Sequence, residues 1–504
     1  MRRALLAAFL CLAAHAAVAQ APLPILRVAL AEDGDMLDPT QARTYVGRIV
    51  FAALCDKLFD INEKLEIVPQ LATGYEWKTP TELILSLRPG VIFHDGTKMD
   101  AASVAYSLMR HLNMPGSTRR AEISAMDHAE AIDPLTVRVV LKSPSAPFLS
   151  QLTDRAGMIV SPKAAEALGV NFALAPVCAG PFKFAERVAQ DRIVLDRFPD
   201  YWDANSIHFS RVIYRPIPDS SVKLSNLRAG AVEIAERLSP TDVADMRKDS
   251  RVRVMVYPGL GYSSISLNVG NGPRANTPFG RDARVRKAFE LSIDRDVINQ
   301  VVSAGLTSPV AQGMSPSNPL YNHSLPPPRR DLVRARALLR EAGVTLPVEL
   351  TLTVVNSPEA LQTGEVIQSM AAEAGFAVKV QATEFASALT AQTKGDFEAT
   401  AIGWSGRVDP DGNLYNSLYS TGPLNATRYA NRQVDDWLDA ARITTDMAAR
   451  RALYAKITNQ AAADLPVLYL ANTALVIGMV PKIEGFRPVP DGLIRLQGLR
   501  LAKP

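Results

Sequence analysis

Apolar and polar positions alternate with a period of two or recur at helical spacing along most of the chain, and the switches between the two periods mark its organisation. Leu26-Arg27-Val28-Ala29-Leu30 alternates and predicts a first strand. Val46, Ile49, Val50, Ala53, Leu54 and Leu58 recur at helical spacing and predict a helix over 46–58. Glu82 to Leu87 and Thr136 to Leu141 read as strands, the first closed by the turn Arg88-Pro89-Gly90. Asp100 is placed to cap a helix from Ala101 to Leu112, and Pro144 to Leu152 reads as a loop. A second β-rich stretch begins near Pro181, with Phe182-Lys183-Phe184, Arg192 to Leu195 and Arg211 to Ile217. It ends in a helix from Ser220 to Ala229, stopped by Gly230. Two more strands follow, Arg251 to Tyr257 and Ser263 to Asn268.

The character changes after Asn268. Helices from Arg284 to Ser292, Val297 to Ala304, Leu332 to Glu341 and Gly364 to Ala374 alternate with strands Val348 to Val354, Ala377 to Val380 and Thr400 to Ile402. Helix between strands predicts parallel crossovers, hence a mixed lobe followed by a separate α/β lobe from about residue 271. Helices from Val434 to Thr444 and Met447 to Ala463 complete that lobe, and strands Val467 to Leu470 and Leu475 to Ile477 lead back towards the first.

Composition narrows the picture. With 504 residues, 47% of them hydrophobic, the chain can bury a large core and is expected to form two or three structural units. Met1-Arg2-Arg3, the apolar run Ala4 to Ala14 and Ala17-Val18-Ala19 read as a secretory leader cleaved after Ala19. Cys11 has no small residue before it, so a soluble periplasmic protein is expected, not a lipid-anchored one. The formal charge is +4, and loss of Arg2 and Arg3 leaves 53 basic against 51 acidic side chains, so nothing favours nucleic acid as a partner. Cys55 and Cys178 remain in an oxidising compartment, and the sequence leaves open whether they are bridged or are two buried thiols. The remaining histidines (His94, His111, His128, His208 and His323) show no metal-ligand spacing, and no cofactor is expected.

The densest chemistry lies in Gly403-Trp404-Ser405-Gly406-Arg407-Val408-Asp409-Pro410-Asp411-Gly412-Asn413. It puts an indole, a guanidinium and two carboxylates on one punctuated loop after a strand, which suits a zwitterionic or polar ligand. Asp-Pro-Asp-Gly is also a turn sequence in its own right. The spacing fails for a nucleophile elbow.

Several segments, in order, resemble the peptide-type periplasmic solute-binding proteins of ABC importers, the family of oligopeptide-, dipeptide-, nickel- and glutathione-binding proteins. The resemblance is carried by Leu37-Asp38-Pro39, Val68-Pro69-Gln70-Leu71-Ala72, Leu87 to Thr97, Gly180-Pro181-Phe182, Asp200-Tyr201-Trp202, Leu227 to Gly230, Asp282 to Ala288 and Ile293-Asp294-Arg295. Its Trp-Ser-Gly-Arg-x-Asp-Pro-Asp-Gly loop is nearest to glutathione-, opine- and dipeptide-type members. The resemblance implies a two-lobed α/β Venus-flytrap fold (type II, cluster C) with an extra β-rich subdomain over 61–174. The first lobe would comprise 20–60, 175–270 and 471–504, and the second 271–470. It further implies a non-enzymatic carrier that closes on a peptide or amino-acid conjugate and delivers it to inner-membrane permease subunits, working as a monomer.

In peptide binders of this family an acid of the second lobe meets the ligand's amino group, a role the resemblance gives first to Asp409 and second to Asp411. Arg407 has two readings, a clamp on a ligand carboxylate or an ion pair with Asp409 or Asp411 that holds the loop. Trp404, Tyr45 and Tyr262 are candidate aromatic walls, with core packing as the alternative. Two departures stand out: Cys178-Ala179-Gly180 where members often read Gly-Thr-Gly, and Asn356-Ser357-Pro358-Glu359, which lacks the arginine some dipeptide binders carry. Competing functions are the same transport role for a nickel chelate, haem or sugar, a periplasmic hydrolase, and a ligand-presenting chaperone or sensor module.

Overall fold

The computed structural model of the chain describes residues 23–502, so the predicted leader lies outside the described residues. One eleven-stranded sheet runs through both halves of the molecule. At its centre lie two long antiparallel strands, Arg253–Leu267 and Val467–Met479, paired from Arg253 opposite Met479 to Ser266 opposite Val467. At one end Ile265 to Leu267 pairs with Ala399–Ala401, which leads in parallel to Val348–Val355 and Phe376–Thr383. At the other end Gly478 and Met479 pair with Ile234–Ala235, which leads in parallel to Ile25–Leu30 and Arg211–Pro216. The two long strands are therefore the covalent connectors between two arms, each with its own core.

Both cores follow from the sequence pattern. Val348–Val355 buries every second residue, so Val348, Leu350, Leu352 and Val354 face helices that carry Phe289, Leu339 and Ile367. The other arm packs Val28, Leu30, Ile49, Phe51 and Tyr214 together. A four-stranded antiparallel sheet, in the order Ala72–Thr79, Glu82–Leu87, Thr136–Leu141, Met126–Asp133, forms a third core with helix Ala101–Asn113. Capping is as the composition predicts: the Asp100 carboxylate accepts from Ser103 N at 2.8 Å, and Gly230 stands after helix Ser220–Arg228 at φ +68°.

Several elements differ from expectation. The first helix is Tyr45–Leu54 and stops four residues short of Leu58, because Cys55 leaves in an extended conformation and is bonded to Cys178. The bridge decides the question the sequence left open. Gly180, in the departing Cys-Ala-Gly segment, is needed there, since a Cβ would lie 2.5 Å from the Leu54 carbonyl oxygen. The predicted pairs of short strands at 251–268 and 467–477 are each one continuous strand. Pro258 and Gly259 fall between the two predicted strands, and the register shift between Pro258 and Tyr262 absorbs them as a bulge. The predicted loop after Asp409 turns at once into a helix, Asp411–Leu418, and Pro144 to Leu152 contains the short helix Phe148–Gln151.

The disulfide joins the end of the first helix to a residue 123 positions along the chain. Closing so long a loop restricts the unfolded ensemble, so replacing both cysteines by serine is expected to lower unfolding free energy by about 3–5 kcal/mol in urea titrations followed by circular dichroism.

Candidate functional site

Between the arms, against the two long strands, lies a cavity of about 830 Å³. Every part of the fold contributes to it. Glu32, Tyr45 and Arg237 come from the first arm, and Arg119, Glu122 and Arg155 from the segment that carries the four-stranded sheet. Asn356, Glu359 and Trp404 come from the second arm, and Tyr262 and Tyr469 from the connecting strands.

The Gly403–Asn413 loop is fastened to the connector. Trp404 and Tyr262 exchange backbone hydrogen bonds of 2.8 and 3.0 Å. Gly406 sits at φ +77°, where a Cβ would lie 2.3 Å from the Leu260 carbonyl oxygen, so only glycine fits. Asn413 ties the loop on itself: its Oδ1 accepts from Trp404 Nε1 at 2.9 Å and from Arg407 N at 2.7 Å. The indole is thus fixed at the cavity wall with its polar edge satisfied.

The charged residues of the loop are engaged elsewhere. Asp409 is held in a bidentate pair by Arg450, at 2.6 and 2.7 Å, and does not line the large cavity. Asp411, 2% exposed, is held by Arg442 at 2.5 and 3.0 Å and accepts from Gln151 Nε2 at 3.4 Å. Burial lifts the Asp411 carboxyl above its usual range although Arg442 pulls it down. Neither acid is left for a ligand's ammonium group, which corrects the placement expected from the sequence. Arg407 pairs with neither: its Nε lies 2.8 Å from Asp154 Oδ2, close enough for an ion pair but out of line for a hydrogen bond, and its Nη1 donates to Gly406 O at 2.8 Å.

Asp154 joins three parts of the molecule. It also accepts from Arg48 Nε at 3.1 Å, and Arg48 Nη1 donates to Ser405 Oγ at 3.2 Å. Burial alone would raise the Asp154 carboxyl, but Arg48 and Arg407 together hold it well below the usual carboxylate range. Arg407 is pushed down to about 10 by burial and by Arg48. A second crossing is made by Arg442, whose Nη2 donates to Ala121 O and Nη1 to Ser124 Oγ, both at 3.1 Å, while Ala146 N donates to Arg442 O at 2.8 Å.

The aromatic candidates do line the cavity. Tyr45 donates its hydroxyl to Gly492 O at 2.8 Å and lies 5.0 Å beneath the Arg237 guanidinium. Tyr262 packs edge-on to Tyr469 at 5.0 Å, and burial raises its hydroxyl pKa well above the usual value. Asn356, Ser357 and Glu359 also reach the cavity, without any basic group among them. Sequence reasoning missed Arg119, Glu122 and Arg155. Ser117-Thr118-Arg119-Arg120-Ala121-Glu122 has the composition of a surface loop, and only the fold shows that Arg119 and Glu122 turn inward, 3% and 8% exposed. Among the described residues, no group of three or more His, Cys, Asp or Glu could hold a metal ion, and no helix is long and apolar enough to cross a membrane.

Two arms joined by paired strands, with a lined cleft between them, define a two-lobed solute-binding protein. The family of bacterial extracellular solute-binding proteins, family 5 (middle), matches residues 66–426, and the chain belongs to it. A glutathione-binding protein, GsiB, of Pectobacterium atrosepticum is 28% identical over 481 residues, covering 93% of this chain and 92% of that protein. Among solved structures, the ABC transporter-associated periplasmic binding protein DppA from Helicobacter pylori, in complex with the peptide STSA, superposes with a TM-score of 0.86 at 26% identity, covering 95% of this chain and 98% of that one. The binding protein AgaA from A. tumefaciens R10, in complex with agropinic acid, gives 0.85 at 26% identity, covering 95% and 99%. The chain is thus a substrate-binding component of the ABC-importer kind.

Two outcomes follow from the ion pairs. Asp409→Ala leaves Arg450 buried and unpaired, so urea unfolding is expected to show a loss of about 3–5 kcal/mol, with the affinity of the folded protein for any bound solute little changed. Asp154 has a folded-state pKa below its unfolded value, so its contribution is fully present above pH about 4 and is lost as pH falls through the folded value. Unfolding titrations at pH 7 and pH 3 are expected to show a loss of stability that Asp154→Asn reduces.

Proposed function

We propose that the protein is exported to the periplasm, by a leader cleaved after Ala19, and captures a peptide or amino-acid conjugate between its lobes for delivery to inner-membrane permease subunits. It works as a monomer and leaves the ligand chemically unaltered. The observation that carries this reading is the cavity itself: about 830 Å³, bounded by both arms, with Trp404, Tyr45 and Tyr262 as apolar wall and charged groups of both signs around them. Such a lining suits a small zwitterionic or acidic molecule with a polar backbone better than a purely apolar one. The names of the relatives point the same way, since they are a glutathione-binding protein, a protein in complex with the peptide STSA and one in complex with agropinic acid. In this reading residues 61–174 are a subdomain of the first lobe, and 271–470 are the second lobe. Tyr45, Tyr262 and Trp404 contact the ligand, and the loop acids Asp409 and Asp411 shape the wall through their arginine partners instead of touching it.

Protein purified from its native periplasm and sprayed under native conditions is expected to carry a peptide-like or amino-acid-derived molecule. Denaturation should release that molecule intact, and adding it back to stripped protein should reduce the radius of gyration in solution scattering. Release of a cleaved product, or an unchanged scattering profile on re-addition, would overturn the reading.

A further inference from the structure

A buried cluster beside the cavity has more positive than negative charge. Arg119, Arg155 and Glu122 line the cavity, while Arg48, Arg407 and Asp154 line a small neighbouring pocket, and all six side chains are at most 8% exposed. Asp154 is shared by Arg48 at 3.1 Å, Arg407 at 2.8 Å and Arg155 at 4.0 Å. Glu122 pairs with Arg119 Nη1. Of the acids nearby, Asp491 pairs with Arg495 at 2.9 Å, and Asp35 accepts only from neutral donors, Arg43 N, Thr44 N and Thr44 Oγ1. Within the cluster itself four guanidiniums face two carboxylates, an arrangement that is costly when buried and is eased by a further negative charge.

The shortfall is concentrated on two atoms. Arg155 is 1% exposed and donates from Nη1 to Ala42 O at 2.7 Å, but its Nε donates to nothing. Burial and the neighbouring Arg119 guanidinium hold its pKa well below the usual arginine value. Glu122 Oε2 is buried and accepts nothing. Arg119, Arg155 and Glu122 all line the large cavity. An unmet donor on one cavity-lining cation and an unmet acceptor on a cavity-lining anion of the same segment are the complement of a carboxylate with an N–H beside it.

We propose that Arg119, Arg155 and Glu122 form a head-group subsite: a ligand carboxylate lies against Arg155 and Arg119, and a ligand N–H next to that carboxylate is accepted by Glu122 Oε2. The proposal deepens the solute-binding reading above and rests on it. It selects amino-acid conjugates with more carboxylates than ammonium groups. It also moves charge recognition from the Asp409–Asp411 loop to the segment that carries the four-stranded sheet, and reverses its sign.

The test is calorimetry of the full mature chain with glutathione, which has two carboxylates and one ammonium group, with glutathione diethyl ester, and with the uncharged-side-chain peptide Ser-Thr-Ser-Ala. Wild-type protein is expected to bind the acid at least about tenfold tighter than the ester, the loss expected from leaving a buried charged donor unpaired. Arg155→Met is expected to weaken acid binding by about 30-fold or more and ester binding little. Equal affinity for acid and ester in the wild type overturns the proposal without recourse to any variant. Melting of the unliganded proteins gives a readout that a structural role would reverse. If Arg155 is a charge held for a guest, Arg155→Met melts no lower than wild type. If it is a structural counter-charge, the variant melts several degrees lower or fails to fold, and the proposal falls. The melting comparison decides the subsite even if none of the three probes binds, whereas the solute-binding reading fails only if no ligand is recovered from the periplasm.

Discussion

Asp154 is the point at which the three parts of this molecule meet. It lies in the segment that carries the four-stranded sheet, it accepts from Arg48 of the first arm, and it faces Arg407 at the tip of a loop from the second. A buried carboxylate between two guanidiniums is stable only while both are present. That makes the pairing directional: rotating the second arm away would expose Arg407 to water and leave Arg48 with the only close contact. The two central strands supply the complementary constraint. They run from one arm into the other as paired backbone, so relative movement must come from bending or twisting this ribbon, and the bulge between Pro258 and Tyr262 lies at its middle, next to the cavity.

The chemistry of the site follows from how the loop residues are engaged. A sequence carrying Arg407, Asp409 and Asp411 within five positions invites the inference that they serve the ligand. The fold instead gives each a partner from a distant part of the chain: Asp154, Arg450 and Arg442. These pairs make the loop rigid, and rigidity is what places Trp404 at the wall, with Asn413 satisfying its indole N–H. Arg442 extends the same logic outward, since its guanidinium holds Asp411 and also reaches Ala121 and Ser124 in the first half of the chain. The loop is therefore a structural corner that presents one aromatic face to the cleft.

Much of the fold was legible because its signals are local. Alternation located Glu82–Leu87 and Thr136–Leu141 to the residue, capping located the start of the helix after Asp100, and Gly230 marked the end of the helix that begins at Ser220. The long connectors were not legible as single strands, because Pro258-Gly259 and Gly261 carry turn composition and only the facing strand shows that the backbone stays paired around them. For the site, the aromatic residues at its wall could be placed by resemblance, but the ion-pair partners could not. Nothing near Arg407 in the sequence points to Asp154. Nor does Ser117 to Glu122 differ from an exposed loop until helix Ala101–Asn113 and the following turns fold Arg119 beneath Ala42, to whose carbonyl it donates at 3.3 Å. Burial of charge is a property of tertiary structure, and it decides which charged residues remain free to meet a ligand.

The surplus of guanidinium groups gives that burial a consequence for closure. On the proposed subsite, opening the cleft would wet the charges of Arg119 and Arg155, which are 3% and 1% exposed in the form described. Closing around an empty cleft strips that water from cations that the protein's own carboxylates do not balance, which disfavours the closed form. Closing around an anion brings the missing charge along with it. A ligand shifts the equilibrium only through its preference for one form, and in this arrangement the preference arises from the removal of a penalty as much as from new attraction between ligand and wall. The Asp154–Arg407 ion pair and the hydrogen bonds from Arg442 to Ala121 and Ser124 are made by the protein alone, so they hold the two arms together but cannot report occupancy. On the proposed subsite, discrimination between an occupied and an empty cleft rests on the charge balance at Arg119, Arg155 and Glu122.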